Sequence, residues 1–142
     1  MRRRLIIGTV LATASISCAG TIHVPGDHAT IQGALDAASF FGDTIQIAAG
    51  TYYEYELSAG GKAVQVVGAT GTDGSPAVTI DAQQSGAVLL CESNEQFTTG
   101  FLNLVLTGGA NGYGGGISIY EAGPVFTNCW IIGNYNDWEG GG

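Results

Sequence analysis

Short apolar runs with period-two alternation, bounded by turn residues, fill the chain after residue 43. One set comprises Ile45–Ile47, Val64–Val66, Val88–Leu90 and Ile117–Ile119. A second comprises Tyr55–Leu57, Val78–Ile80, Leu102–Leu106 and Cys129–Ile131, and the two sets alternate along the chain. Alternation over so few residues predicts β-strands. No helix-length segment separates the runs, which excludes a doubly wound α/β sheet. Two-residue hairpin turns of the Asn-Gly type are mostly missing between them, which argues against an antiparallel sandwich. The remaining economical arrangement is a solenoid in which each round gives one strand to each of several parallel sheets. Side chains then alternate, so that Leu104, Leu106, Cys129 and Ile131 point inward while Val105 and Trp130 face out.

An internal repeat supports this reading. Phe101, Asn103, Gly108, Asn111 and Tyr113 are followed 25 residues later by Phe126, Asn128, Gly133, Asn136 and Trp138. Gly114–Gly116 and Gly140–Gly142 match after one further residue. A fixed period of this size means stacked supersecondary units, and residues 44–142 supply about four of them. Asn103 and Asn128 are expected to stack, each amide bonding the other or turn backbone. Glycine numbers 24 in 142 residues, and the tight corners of a solenoid use its conformational freedom. The same composition lacks the strict period of three that collagen requires. An apolar fraction of 45% also separates it from charge-driven disorder.

Residues 27–40 read differently. Thr30 and its neighbours offer capping groups before Ile31, Leu35 and Ala38, which share one helical stripe. Gly42-Asp43 is the expected stop. The first round of a solenoid has an exposed apolar end, and this helix is its expected lid. Earlier still, Arg2–Arg4, the apolar Leu5–Ile16 and the small residues of Ser17-Cys18-Ala19 form a secretory signal pattern. Three segments follow: a signal peptide over 1–19, a helical cap over 20–43 and repeated rounds over 44–142. The mature protein is expected to be secreted or held at the cell surface. Lipidation of Cys18 is the lesser alternative, because Ser15 stands where such motifs carry a leucine-like residue. No run after residue 19 is apolar for long enough to span a bilayer.

The stretch Ala29–Ala38, followed by Gly42-Asp-Thr-Ile45 and Ala49-Gly-Thr-Tyr52, resembles the opening of right-handed parallel β-helix proteins of the pectin lyase-like superfamily. Thr127–Asn134 and Gly114–Ile117 are similar to repeats of exported bacterial members. The resemblance covers residues 21–142 and implies an all-β, right-handed parallel β-helix with a short N-terminal capping helix. It says less about function, since the superfamily holds lyases, hydrolases, esterases and adhesins. Its pectate lyases use an Arg or Lys base beside acidic Ca²⁺ ligands, and its esterases two Asp and an Arg. Beyond residue 19 the chain has no Arg, and Lys62 is its one Lys. The Gly-His-Gly and basic motifs of polygalacturonase-like members are missing too. No catalytic residue is therefore assigned. Gly140–Gly142 stands where a further round would begin, so the chain is expected to be the N-terminal portion of a longer solenoid.

Charge bounds the partners. Against Lys62 stand 12 acidic residues, a formal charge of −11 after residue 19. Duplex nucleic acid and anionic membranes are excluded, since no basic patch exists to release counterions. An acidic polysaccharide would need bridging cations such as Ca²⁺. No cofactor is evident, but Asn136, Asp137 and Glu139 place several oxygens in one turn and could hold Ca²⁺. Asp73 and Asp81 read as turn residues. Cys91 and Cys129 are expected to be free thiols, and His23 and His28 isolated histidines without ligand spacing. Tyr113, Tyr135 and Trp138 fall at corresponding or adjacent loop positions and are the candidate sugar-stacking residues. The functional expectation is an extracellular module that binds polysaccharide or acts as a surface or adhesin scaffold. The alternative is the front part of a polysaccharide lyase or glycoside hydrolase whose groove lies in further rounds.

Overall fold

A computed structural model describes residues 19–110, 112 and 114–136. Strand β1 (Thr21–Val24) is followed by helix α1 (Ile31–Ala37) and strand β2 (Phe41–Ile47). Then come β3 (Gly50–Tyr52), β4 (Leu57–Ser58), β5 (Ala63–Gly68), β6 (Val78–Asp81) and β7 (Leu89–Cys91). The last are β8 (Gly100–Leu102), β9 (Leu104–Thr107), β10 (Ile117–Ile119), β11 (Val125–Thr127) and β12 (Trp130–Ile131). These strands form three sheets, ordered β1-β2-β5-β8-β11, β3-β6-β9-β12 and β4-β7-β10. Every pairing between named strands is parallel. From β2 onward the chain visits the first, second and third sheets in that fixed order.

Register explains the core. Ile22, Ile45, Val66, Phe101 and Phe126 form one inward row of the first sheet. The middle three are buried and the outer two partly so. In the second sheet Tyr52, Ile80, Leu106 and Ile131 form a comparable row. Phe101 stacks on Phe126 with ring centroids 5.3 Å apart, which fulfils the 25-residue repeat. Burying each such side chain contributes about 1.5–3 kcal/mol.

The Asn positions form the expected stack. Asn128 Nδ2 donates to Asn103 Oδ1 at 2.9 Å, and Asn103 Nδ2 donates to the Gly68 carbonyl at 3.2 Å. Both residues are left-handed, with φ of 58° and 49°, a conformation that Asn tolerates better than most residues. Asn103 is the single residue between β8 and β9, so one left-handed residue turns the chain from the first sheet into the second. A side chain at Gly68 would strike the Asn103 carbonyl, which explains glycine there.

Four expectations need correction. The two sets of runs resolve into three sheets: Ile45–Ile47 and Val64–Val66 lie in the first, but Leu89–Leu90 and Ile117–Ile119 in the third. Leu102–Leu106 is two strands in different sheets, hinged at Asn103. The helix is also shorter than 27–40. It ends at Ala37, and Gly42-Asp43 lies within β2 at a register shift rather than at a helix stop. Finally, Ile131 is 40% exposed, although its row mates Ile80 and Leu106 are buried. It sits on the outermost strand of its sheet among the described residues, with no strand covering it.

Helix α1 buries Ile31, Ala34 and Leu35, and Ala38 just beyond it, as the stripe predicts. Thr30 Oγ1 accepts from the Gly33 amide at 3.1 Å. The Glu54 carboxylate accepts from the Ile31 and Gln32 amides at 2.7 and 3.0 Å, satisfying donors that a helix cannot pair itself. At the other end Lys62 Nζ donates to the Leu35 and Asp36 carbonyls at 2.6 and 2.9 Å. The Gln32 amide pairs with both backbone groups of Ser58, accepting at 2.9 Å and donating at 3.2 Å. It thus occupies the free edge of β4 in the way a neighbouring strand would.

Candidate functional site

Two groups of segments between sheets carry most of the exposed aromatic residues, and the backbone ladder fixes where they sit. The first group leads from the second sheet to the third. Here the Ala110 amide donates to the Gly86 carbonyl and the Tyr135 amide to the Gly109 carbonyl, at 2.8 and 2.7 Å. The Asn134 side chain clamps the same stack, accepting from the Gly109 amide at 2.8 Å and donating to the Leu106 carbonyl at 3.0 Å. A Cβ at Gly109 would strike the Gly115 carbonyl, and one at Gly115 would strike the Tyr135 carbonyl. The glycines therefore let three backbone segments approach closely, and Tyr135 is 61% exposed on that base.

Of the predicted sugar-stacking residues, the structure thus places Tyr135. Tyr113 and Trp138 lie outside the described residues. Of the proposed Ca²⁺ ligands, Asn136 is half-buried beside Tyr135, while Asp137 and Glu139 lie outside the described residues. Among the described residues no three His, Cys, Asp or Glu side chains gather at metal-binding distance. Asp73 Oδ1 accepts from the Ser75 amide and hydroxyl, and Asp81 Oδ1 from the Gln83 amide, which are turn roles.

The second group leads into the first sheet, from α1 or from the third sheet, and sequence reasoning missed it. Phe40 and Phe41, just before and at the start of β2, are 56% and 71% exposed, with ring centroids 5.0 Å apart. Phe97, in the segment between β7 and β8, is 78% exposed. The intervening Lys62–Ala63 segment bonds to both neighbours: the Ala63 amide donates to the Phe40 carbonyl at 2.9 Å, and Thr99 Oγ1 to the Lys62 carbonyl at 2.8 Å. The missed signal was an apolar residue inside an otherwise polar turn, as in Glu95-Gln-Phe97-Thr-Thr.

Glu95 holds that turn in shape. Its carboxylate is fully buried and accepts from the Gly61 and Ser93 amides at 3.2 and 2.9 Å. The buried Cys91 thiol, nearby, is pushed up to about 12, first by desolvation and then by the Glu95 and Glu92 charges. It is no nucleophile at neutral pH. Cys129 is half-buried, and burial likewise raises its thiol. Both cysteines are free. His23 is exposed and pairs with Asp27 at 3.1 Å. No helix among the described residues is long and apolar enough to cross a membrane. No family model, curated protein or solved structure matches the chain.

Proposed function

We propose that the chain is an exported right-handed parallel β-helix of the pectin lyase-like kind, acting outside the cell as a polysaccharide-binding module or surface scaffold. One observation carries the reading: parallel strands visit three sheets in constant order, and exposed aromatics stand on the turns between them. Repeated, rigidly registered turns make an extended face suited to a polymer rather than to a small molecule. The signal-like segment over residues 1–19 supports export. Replacing Tyr135, Tyr113 and Trp138 by Ala is expected to weaken retention on a polysaccharide array. An unchanged profile, or no retained glycan, overturns the binding reading. N-terminal sequencing of the exported chain is expected to begin at Gly20, and a retained Arg2–Arg4 segment overturns the export reading.

A further inference from the structure

We infer that Phe40, Phe41 and Phe97 form a second docking surface, and that its occupant is an uncharged polysaccharide. This rests on the proposed polysaccharide-binding reading and specifies the class of glycan. The segments carrying Phe41 and Phe97 flank β5, so they lie two strand spacings apart, roughly 10 Å along the stack. Exposed aromatic residues on segments so spaced offer apolar faces to successive parts of a chain, and the C–H faces of pyranose rings stack on such faces. The groups beside Phe97 are neutral hydrogen-bonding side chains: Asn94, Gln96 and Thr98 are all exposed. Glu95, which would bring charge, is instead buried against two backbone amides.

Charge decides between neutral and acidic polymers. Lys62 is the one Lys or Arg after residue 19 and lies between the two aromatic segments. Its ammonium is turned onto the Leu35 and Asp36 carbonyls at the helix end, so it is committed to the fold. The exposed charges on the flanking segments, Asp36, Glu92 and Glu121, are acidic. A uronate chain would meet repulsion with no cation to offset it, whereas a neutral chain meets stacking faces and amide or hydroxyl partners. An acidic surface also disfavours self-association of this corner with a second copy.

The test is affinity electrophoresis of the full chain in gels containing hydroxyethylcellulose, xyloglucan or polygalacturonate, with the Phe41→Ala/Phe97→Ala double variant alongside. Both rings are exposed, so an unchanged thermal midpoint checks that the variant is folded. The parent is expected to be retarded by a neutral polymer and not by polygalacturonate. The double variant should lose on the order of ten-fold in affinity, as two stacking contacts require, and Phe97→Trp should retain binding. Three results overturn the inference: equal retardation of the double variant, retardation by polygalacturonate alone, or a change in oligomeric mass on removing the rings. If Tyr135→Ala abolishes retardation while the double variant does not, this inference fails and the proposed function stands. If no polymer retards the parent, this inference and the polysaccharide-binding reading both fail, and the scaffold reading is left.

Discussion

Ile22 and Phe126 close the same inward row of the first sheet at its opposite ends, yet they meet different surroundings. On the Ile22 side, α1 lies over the early strands, and three polar side chains complete the closure. Glu54 serves its first amides, Lys62 its last carbonyls, and Gln32 the edge of β4. On the Phe126 side, β10, β11 and β12 are the outermost described strands, and Ile119, Val125, Trp130 and Ile131 are exposed. The comparison shows that a sheet edge can be closed without a strand. It takes side chains that copy peptide hydrogen-bonding groups, together with a short helix supplying the apolar cover.

Core truncation tests this contrast most severely. Phe101 is 2% exposed in a central round, and Phe101→Ala is expected to cost about 3–5 kcal/mol in urea denaturation. Phe126→Ala, on the open side, should cost clearly less, since its site is only partly enclosed. Equal losses would mean that the two sides are equally packed. Next come the closure residues. Glu54→Ala and Lys62→Met each leave backbone groups of α1 without a partner and should cost about 1–3 kcal/mol by the same measurement. If neither moves the midpoint, α1 contributes nothing to the closure.

Asn103→Ala should cost about 1–2 kcal/mol, combining a left-handed backbone with two lost amide bonds. Asn103→Gly relieves the backbone alone and should recover part of that loss. A fourth comparison is kinetic. Half-buried Cys129 should react with iodoacetamide well before Cys91, whose labelling should wait for unfolding. Peptide mapping after timed quenching reads the order, and faster reaction at Cys91 would contradict its enclosure.

The smallest effect is expected at Asp43. Its carboxylate accepts from the Ser39 and Gly20 amides at 2.6 and 2.7 Å. Hydrogen bonding from the Ser39 side chain first, then from the Gly20 and Ser39 amides, lowers its pKa below the ordinary 3.8. A carboxyl depressed in the folded state contributes stability above its unfolded pKa and loses it as pH falls through the lower folded value. Asp43→Asn should therefore narrow the stability difference between pH 7 and pH 3. An unchanged pH profile would count against the role of those bonds.

Much of this architecture was legible in the chain. The stripe of Ile31, Leu35 and Ala38 marked the helix face, and the matched Phe and Asn positions gave the register of neighbouring rounds. What could not be read were corners made by one residue. Leu102–Leu106 looks like one strand because nothing but the φ of Asn103 divides it. Gly42-Asp43 looked like a helix stop because Gly and Asp carry the same signal in a bulged strand. Round length was also obscured. Val66 aligns with Phe101, 35 residues on, while Phe101 aligns with Phe126 after 25, because turns such as 70–76 add residues to single rounds. The Phe97 corner stayed hidden because one apolar residue in a polar turn has no periodicity to reveal which way it faces.

The use made of Lys62 reaches into handling at the bench. Beyond residue 19, trypsin has a single point of attack, and that point is tied into the closure. Amine-reactive dyes and crosslinking resins have the same side chain as their one target besides the terminal amine. Acylating it would strip two carbonyls of their donor and loosen the very element that seals one end. Attachment through an engineered tag would spare it.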